Sequence, residues 1–353
     1  MPCLGLLDYD GTTYTWDEIR RRKWSYGQLG GLPNHILLGL RSDKTPHSGA
    51  DYSITQLLGA PRIQRLQERE DWYIPLDDAV KLSFGRWLHN SLENLRSPGL
   101  VCNELEVSMP VSTTNGDVVI SGVVDTYLPA SLNEPDGFTI DYKFVGRSTL
   151  EKAVNDAEWD KGGMFFQYRI QTSFYSHAIS RLNNVRTPMT SIILLGYEKP
   201  SDTEDKTWRR VHSRHFHPLP LDDVLSFIRE RVRALSAEEL PECSPADQWR
   251  TNPTAKVFKV PNSSRAVPGG IVTVGEGGVL TSEEAMETAN KIAEGKRVKA
   301  KGKSDYGVVY DPGTPRRCIG YCPVWSHCEQ LRHEYPELYA NMVREREPPA
   351  MPF

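Results

Sequence analysis

The chain has 353 residues, 39% hydrophobic and 25% charged, with a formal net charge of −4. That length fits one large domain or two smaller ones, and the balance predicts a folded, soluble chain without a global positive field, so any DNA-binding surface must be local. No apolar run reaches the roughly 18 residues of a membrane span, and the start MPCLGLLDYDG lacks the basic-then-apolar pattern of a secretion signal. A reducing, cytoplasmic setting is the expectation, in which six cysteines are thiols or metal ligands rather than disulfides.

Taken in order, residues 1–51 read as an irregular N-terminal arm with one short helix, because a charged run at 16–23 gives way to a Gly-, Pro- and Ser-rich stretch. Two helical turns broken at Pro61 are expected across 53–71. A helix follows at 77–96, with Phe84, Leu88, Leu92 and Leu95 as its apolar stripe and Gly85, His89 and Glu93 beside it. Strands are expected at 101–111, 117–128 and 138–145, forming an antiparallel meander around a PDG turn signal.

The last two of these strands carry the chemistry. Side chains alternate along a strand, so Thr139, Asp141 and Lys143 share one face and Phe138, Ile140, Tyr142 and Phe144 the other. Asp125 adds a carboxylate from the preceding strand. Two acids and a lysine on adjacent strands suit a divalent cation such as Mg²⁺ or Mn²⁺ beside a phosphate. A helix at 162–182 places Gln167, Gln171 and Tyr175 on one face, either a polar pocket against the sheet or a solvated stripe. Strands at 190–198 and 207–219 and an amphipathic helix at 221–240 complete this part.

Beyond Pro241 the texture changes. Two short strands fall within 255–274, and a helix at 281–295 opens on a capping box from Thr281 to Glu284. A basic run follows, with Lys296, Arg297, Lys299, Lys301 and Lys303, and is either a solvated loop or a patch that tracks DNA phosphates. Cys318, Cys322 and Cys328 are closely spaced, and Cys243 lies upstream in PECSPADQW. Four thiolates fit a [4Fe–4S] cluster or a structural Zn²⁺, with His327 as a substitute zinc ligand. Residues 335–353 read as a helix that frays.

Four motifs, Gly85-x-x-x-His89, Gly122-x-x-Asp125, Asp141-Tyr142-Lys143 and Gln171-x-x-x-Tyr175, stand in the order seen in RecB-like nucleases of the PD-(D/E)XK superfamily. The later cysteines resemble that superfamily's iron–sulfur subgroup, and PECSPADQW followed by YCPVWSHC looks closest to phage-encoded members. The resemblance covers roughly residues 52–330. It implies a restriction-endonuclease-like α/β core, a central mixed sheet flanked by helices, over 52–240. A small β/α insert and a cysteine-bound metal centre over 241–334 would follow, and then a tail at 335–353.

Position by position, the resemblance implies that Asp125 and Asp141 ligate the catalytic metal, with the Tyr142 carbonyl and His89 as further ligands. Lys143 would orient water or stabilise charge on the phosphate, and Gln171 and Tyr175 would position the lysine and the DNA strand, with Glu104 or Glu106 as a conceivable extra carboxylate. Iron–sulfur members usually carry a cysteine where this chain has Ala60. Cys243 would then be the fourth ligand, or the cluster is incomplete or replaced by zinc, or Cys3 or Cys102 comes round in space.

The implied activity is Mg²⁺- or Mn²⁺-dependent hydrolysis of DNA, by an exonuclease acting on single strands or ends. No GxxxxGK[ST] phosphate loop is present, so unwinding would come from a helicase or recombination partner. The alternatives are a catalytically silent DNA- or partner-binding scaffold and an RNA nuclease.

Overall fold

The computed structural model describes residues 3–22, 28–41, 49–93, 102–130, 137–155, 159, 163–196, 210–260, 265–275, 281–300 and 304–346; within these, the side chains of 88–90, 92–93 and 345–346 lie outside the description. The chain divides into two compact units, Met1–Cys243 with Pro323–Phe353, and Ser244–Cys322.

The first unit begins with a small sheet. Strands β1 (Gly5–Leu7), β2 (Thr13–Thr15) and β4 (Tyr73–Pro75) are ordered β2-β1-β4. Helices α1 (Trp16–Arg21) and α2 (Asn34–Gly39) accompany them. Leu6, Trp16, Ile19, Leu29, Leu37 and Leu76 are buried together here. The segment expected as an irregular arm is therefore packed, in a core it shares with Leu76 and Ala79. Its Gly and Pro residues mark turns within that core rather than an absence of packing.

Among the described residues the central sheet has six strands. β3 (Tyr52–Ser53), β6 (Gly116–Leu128), β7 (Phe138–Val145), β8 (Met189–Gly196) and β9 (Val211–Phe216) follow in that order, and β5 (Cys102–Thr113) pairs with β6. β5, β6 and β7 are antiparallel neighbours, whereas β7 and β8 run parallel. The fold is thus a mixed α/β one. Its helices are α3 (Ile54–Leu57), α4 (Pro61–Arg69), α5 (Leu76–Glu93), α6 (Arg147–Ala153), α7 (Met164–Asn183) and α8 (Leu221–Ser236). The main core lies between the sheet and α3, α7 and α8, with Ile120, Val124, Ile170, Phe174, Ile179, Val224 and Ile228 buried. Each such side chain contributes about 1.5–3 kcal/mol by leaving water.

Pro61 opens α4, where a missing N–H costs nothing. Arg65 donates to the carbonyls of Leu235 and Ala237 at 3.0 and 2.5 Å, so a cation caps the carbonyl end of α8. On α5, Phe84 is 39% exposed and packs edge-on against the exposed Trp87, while the side chains of Leu88, Leu92 and Leu95 lie outside the described residues.

In β6 the pairing creates the site. β5 runs along nearly its full length, whereas the other edge is shared: β3 pairs at Ile120 and Ser121, and β7 at Thr126 to Leu128. The gap between those two partners spans 122–125.

The second unit holds β10 (Thr254–Val260), β11 (Ala266–Thr273) and β12 (Asp305–Asp311), ordered β11-β10-β12, with α9 (Ser282–Lys299) against them. The Thr281–Glu284 capping box forms as the sequence indicates. The short helix α10 (Arg316–Gly320) also belongs to this unit, whereas α11 (Glu329–Glu334) and α12 (Pro336–Arg346) return to the first.

Candidate functional site

The site is a buried polar pocket between β6, β7 and α7. On β7 the alternation is as read, with Thr139, Asp141 and Lys143 on one face. That polar face is the covered one: Thr139 and Asp141 are 0% and 1% exposed, whereas Phe144 on the other face is 38% exposed. The reason is α7, whose inward surface is itself polar. Ser176 Oγ lies 3.1 Å from Thr139 Oγ1, and Thr172, Ser173 and Ser176 are fully buried.

Two carboxylates meet in the gap along β6. The β6–β7 register pairs Thr126 with Ile140, so the next pair would be Asp125 with Asp141. Instead of a further backbone rung, the Tyr142 N–H donates to Asp125 Oδ2 at 2.7 Å. Gly122 and Asp125 are three residues apart and would lie on opposite faces of a regular strand. Here Gly122 lies against Tyr175, and Asp125 is near enough to that phenol to act on it electrostatically. Across β5, Glu104 sits at the matching register with φ of 50°. The local distortion lets both positions serve one pocket.

Lys143 Nζ lies 2.6 Å from Asp141 Oδ2, with the amine side chain 21% exposed and the carboxylate 1%. Neither Asp141 oxygen has a further hydrogen-bond partner among the described residues. Burial alone would lower the Lys143 pKa, but the nearby Asp141 and Asp125 carboxylates outweigh it and hold the amine above its usual value. On α7, Gln171 Nε2 donates to Tyr175 Oη at 2.8 Å and reaches Thr55 Oγ1 at 3.4 Å. Burial raises the Tyr175 phenol well above the ordinary range, with the two carboxylates adding to it. Burial likewise pushes Tyr168 up to about 12.

Of the expected residues, Asp125, Asp141, Lys143, Gln171 and Tyr175 thus converge. Tyr142 joins through its N–H, and Gln167 lies one turn before Gln171 on α7, partly buried. His89 is on α5, but its side chain lies outside the described residues. Two contributors escaped the sequence reading. Tyr168 places its ring 5.4 Å from the Lys143 amine, and Thr55 anchors Gln171. Tyr168, Gln171 and Tyr175 stand three and four residues apart, which is one helical face.

The cofactor expectations fail. Among the described residues no group of three or more His, Cys, Asp or Glu side chains could hold a metal ion. At the pocket, Asp125 and Asp141 supply only two acids, and the Lys143 ammonium already occupies the cationic place beside Asp141. A Mg²⁺ or Mn²⁺ ligand set is therefore not met. The cysteines likewise do not form the expected [4Fe–4S] or Zn²⁺ centre. Cys243 and Cys328 belong to the first unit, and Cys318 and Cys322 to the second.

Within the first unit other contacts tie these segments. Gln330 accepts from the Cys243 N–H at 2.8 Å and donates to its carbonyl at 3.0 Å. Arg62 Nε lies 3.3 Å from Cys328 Sγ and also donates to the Pro241 carbonyl. His327 Nδ1 lies 3.5 Å from Glu70.

The basic run differs from a free loop. α9 continues through Lys299, so Lys296, Arg297 and Lys299 form its last turn, where cations suit the helix dipole. Arg297 is paired with Asp305 at 2.7 Å, Lys296 donates to the Pro268 carbonyl, and Lys299 is exposed. Lys301 and Lys303 lie outside the described residues.

No family model matches the chain, and no curated protein matches it. Among solved structures it is similar to SSO0001, at 14% identity with a TM-score of 0.39, over 58% of this chain and 82% of that one. A likeness at that level says nothing about chemistry. No helix among the described residues is long and apolar enough to cross a membrane.

Proposed function

We propose that this chain is a nuclease of the RecB-like PD-(D/E)XK type, hydrolysing DNA phosphodiesters in the Asp125–Asp141–Lys143 pocket. The observation that carries this reading is Asp141, a buried carboxylate whose partner is a single ammonium and whose Oδ1 is unsatisfied among the described residues. A buried charge held so sparingly is costly to the fold, and such costs concentrate at functional sites.

The residues divide the work. In this reading Asp141 takes a proton from a water whose oxygen attacks the phosphorus, while the P–O bond to the sugar oxygen breaks and that oxygen leaves with a proton from solvent. The Lys143 ammonium, held in its charged form, stabilises negative charge growing on the phosphate oxygens. Asp125 fixes the β7 backbone at Tyr142, and Gln171 with Tyr175 closes the pocket floor. Asp125, Asp141, Gln171 and Tyr175 are all at most 5% exposed, so Lys143 is the one of these five groups that meets solvent appreciably. A recess of that kind suits a flexible single strand or a DNA end better than a rigid duplex.

One observation favours a second reading, a DNA- or partner-binding scaffold without turnover: the Asp141 carboxylate is already engaged by the Lys143 ammonium at 2.6 Å. End-labelled single-stranded DNA, duplex DNA and RNA, incubated in parallel with magnesium, manganese or EDTA, separate the two. The nuclease reading expects shortening of single-stranded DNA that disappears in Asp141→Ala while DNA binding persists. Binding without cleavage in every buffer supports the scaffold.

A further inference from the structure

We infer that Tyr168 is a positioning residue for the Lys143 amine, holding it at the phosphate side of the pocket through the face of its ring. The inference rests on the pocket being the hydrolytic site proposed above. A lysine reaches its amine through a flexible four-carbon stem. At 21% exposure, the Lys143 side chain could turn to solvent and leave Asp141 without its counter-charge. Two groups oppose this. Asp141 Oδ2 lies 2.6 Å from Nζ, and the Tyr168 ring centroid lies 5.4 Å from it. The face of an aromatic ring is electron-rich and attracts a cation within about 6 Å.

The ring itself is well anchored. Phe165 meets it edge-on at 6.2 Å, and Trp159 stacks on Phe165 at 4.7 Å, so the aromatic wall extends into the packed core. Trp159 is in turn fixed by a hydrogen bond from its Nε1 to the Ala153 carbonyl at 2.9 Å. Helix α7 thus places Gln171 and Tyr175 under the carboxylates and Tyr168 beside the amine. An ammonium carries three N–H groups, and a carboxylate with a ring face leaves at least one for a phosphate oxygen.

Tyr168→Phe keeps the ring and Tyr168→Leu removes it, and two readouts test them. In single-stranded DNA cleavage, Tyr168→Phe should match the unaltered protein. Tyr168→Leu should lower kcat about tenfold, the scale of a cation–π contact between the exposed and desolvated limits, with KM and DNA affinity unchanged. In protein carrying ¹³C at the lysine ε carbons, one resonance should be ring-current shifted, be assigned by its loss in Lys143→Arg, persist in Tyr168→Phe and lose its shift in Tyr168→Leu.

An unshifted Lys143 resonance in the unaltered protein overturns the inference, as does Tyr168→Leu cleaving at the unaltered rate or Tyr168→Phe being as slow as Tyr168→Leu. No cleavage by the unaltered protein, with the resonance shifted as expected, sinks the hydrolytic reading and supports the placement of the amine.

Discussion

At the scale of single residues, the pocket depends on a few atoms having no room to be anything else. A Cβ built on Gly122 would lie 2.5 Å from Tyr175 Cε1, closer than any real contact. Gly122→Ala must therefore push Tyr175 off Gln171, and chemical denaturation should show a loss of about 1–3 kcal/mol, the usual cost of overpacking, together with lost cleavage. Lys143→Met leaves the Asp141 carboxylate buried without its counter-charge. It should destabilise by about 2 kcal/mol, discounted because the amine is partly in water, and adding Asp141→Leu should restore much of the loss. Five of the pocket residues were legible because short motifs fix their order. Which face of β7 is buried was not, because apolar Phe138, Ile140, Tyr142 and Phe144 look like a core face until the Ser- and Thr-rich side of α7 is known to cover the other. Tyr168 was missed because the four-residue step from Gln167 to Gln171 and Tyr175 hid the three-residue step that also leads to Gln171.

Among the secondary-structure elements, periodicity located most helices and strands, and the errors have physical causes. β12 went unread because its sequence DYGVVYD follows a basic run that resembles a solvated loop. Those basic residues instead finish α9, and the strand pairs with β10 along its whole length. Lys256 and Asp311 join these two strands through an ion pair at 2.6 Å. The hydrogen bond from Lys256 lowers the Asp311 pKa below the ordinary 3.8. A carboxylate with a depressed folded pKa stabilises the fold above its unfolded pKa and loses that contribution as pH falls through the folded one. Thermal melting followed from pH 5 downward should therefore show a smaller acid-induced fall in Tm for Lys256→Met than for the unaltered chain. An identical fall would remove the pair from the account.

Across the whole molecule, the expectation of a cysteine-bound metal came from spacing in the sequence, and spacing says only that thiols are near one another along the chain. Where the first unit is resumed after residue 322, the observed ties are amide and guanidinium hydrogen bonds at Gln330 and Arg62. Gln330→Ala should lower Tm by several degrees, since it removes two hydrogen bonds to the part-buried Cys243 backbone, whereas an unchanged Tm would show the clasp to be incidental.

The central claim concerns the pocket, and one assay addresses it most directly: digestion of end-labelled single-stranded DNA by the unaltered chain beside Asp141→Ala, with binding of the same strand measured in parallel. The account predicts progressive shortening by the unaltered chain, none by the variant, and equal binding by both. Equal cleavage by the two proteins, or none by either while both bind, would contradict it.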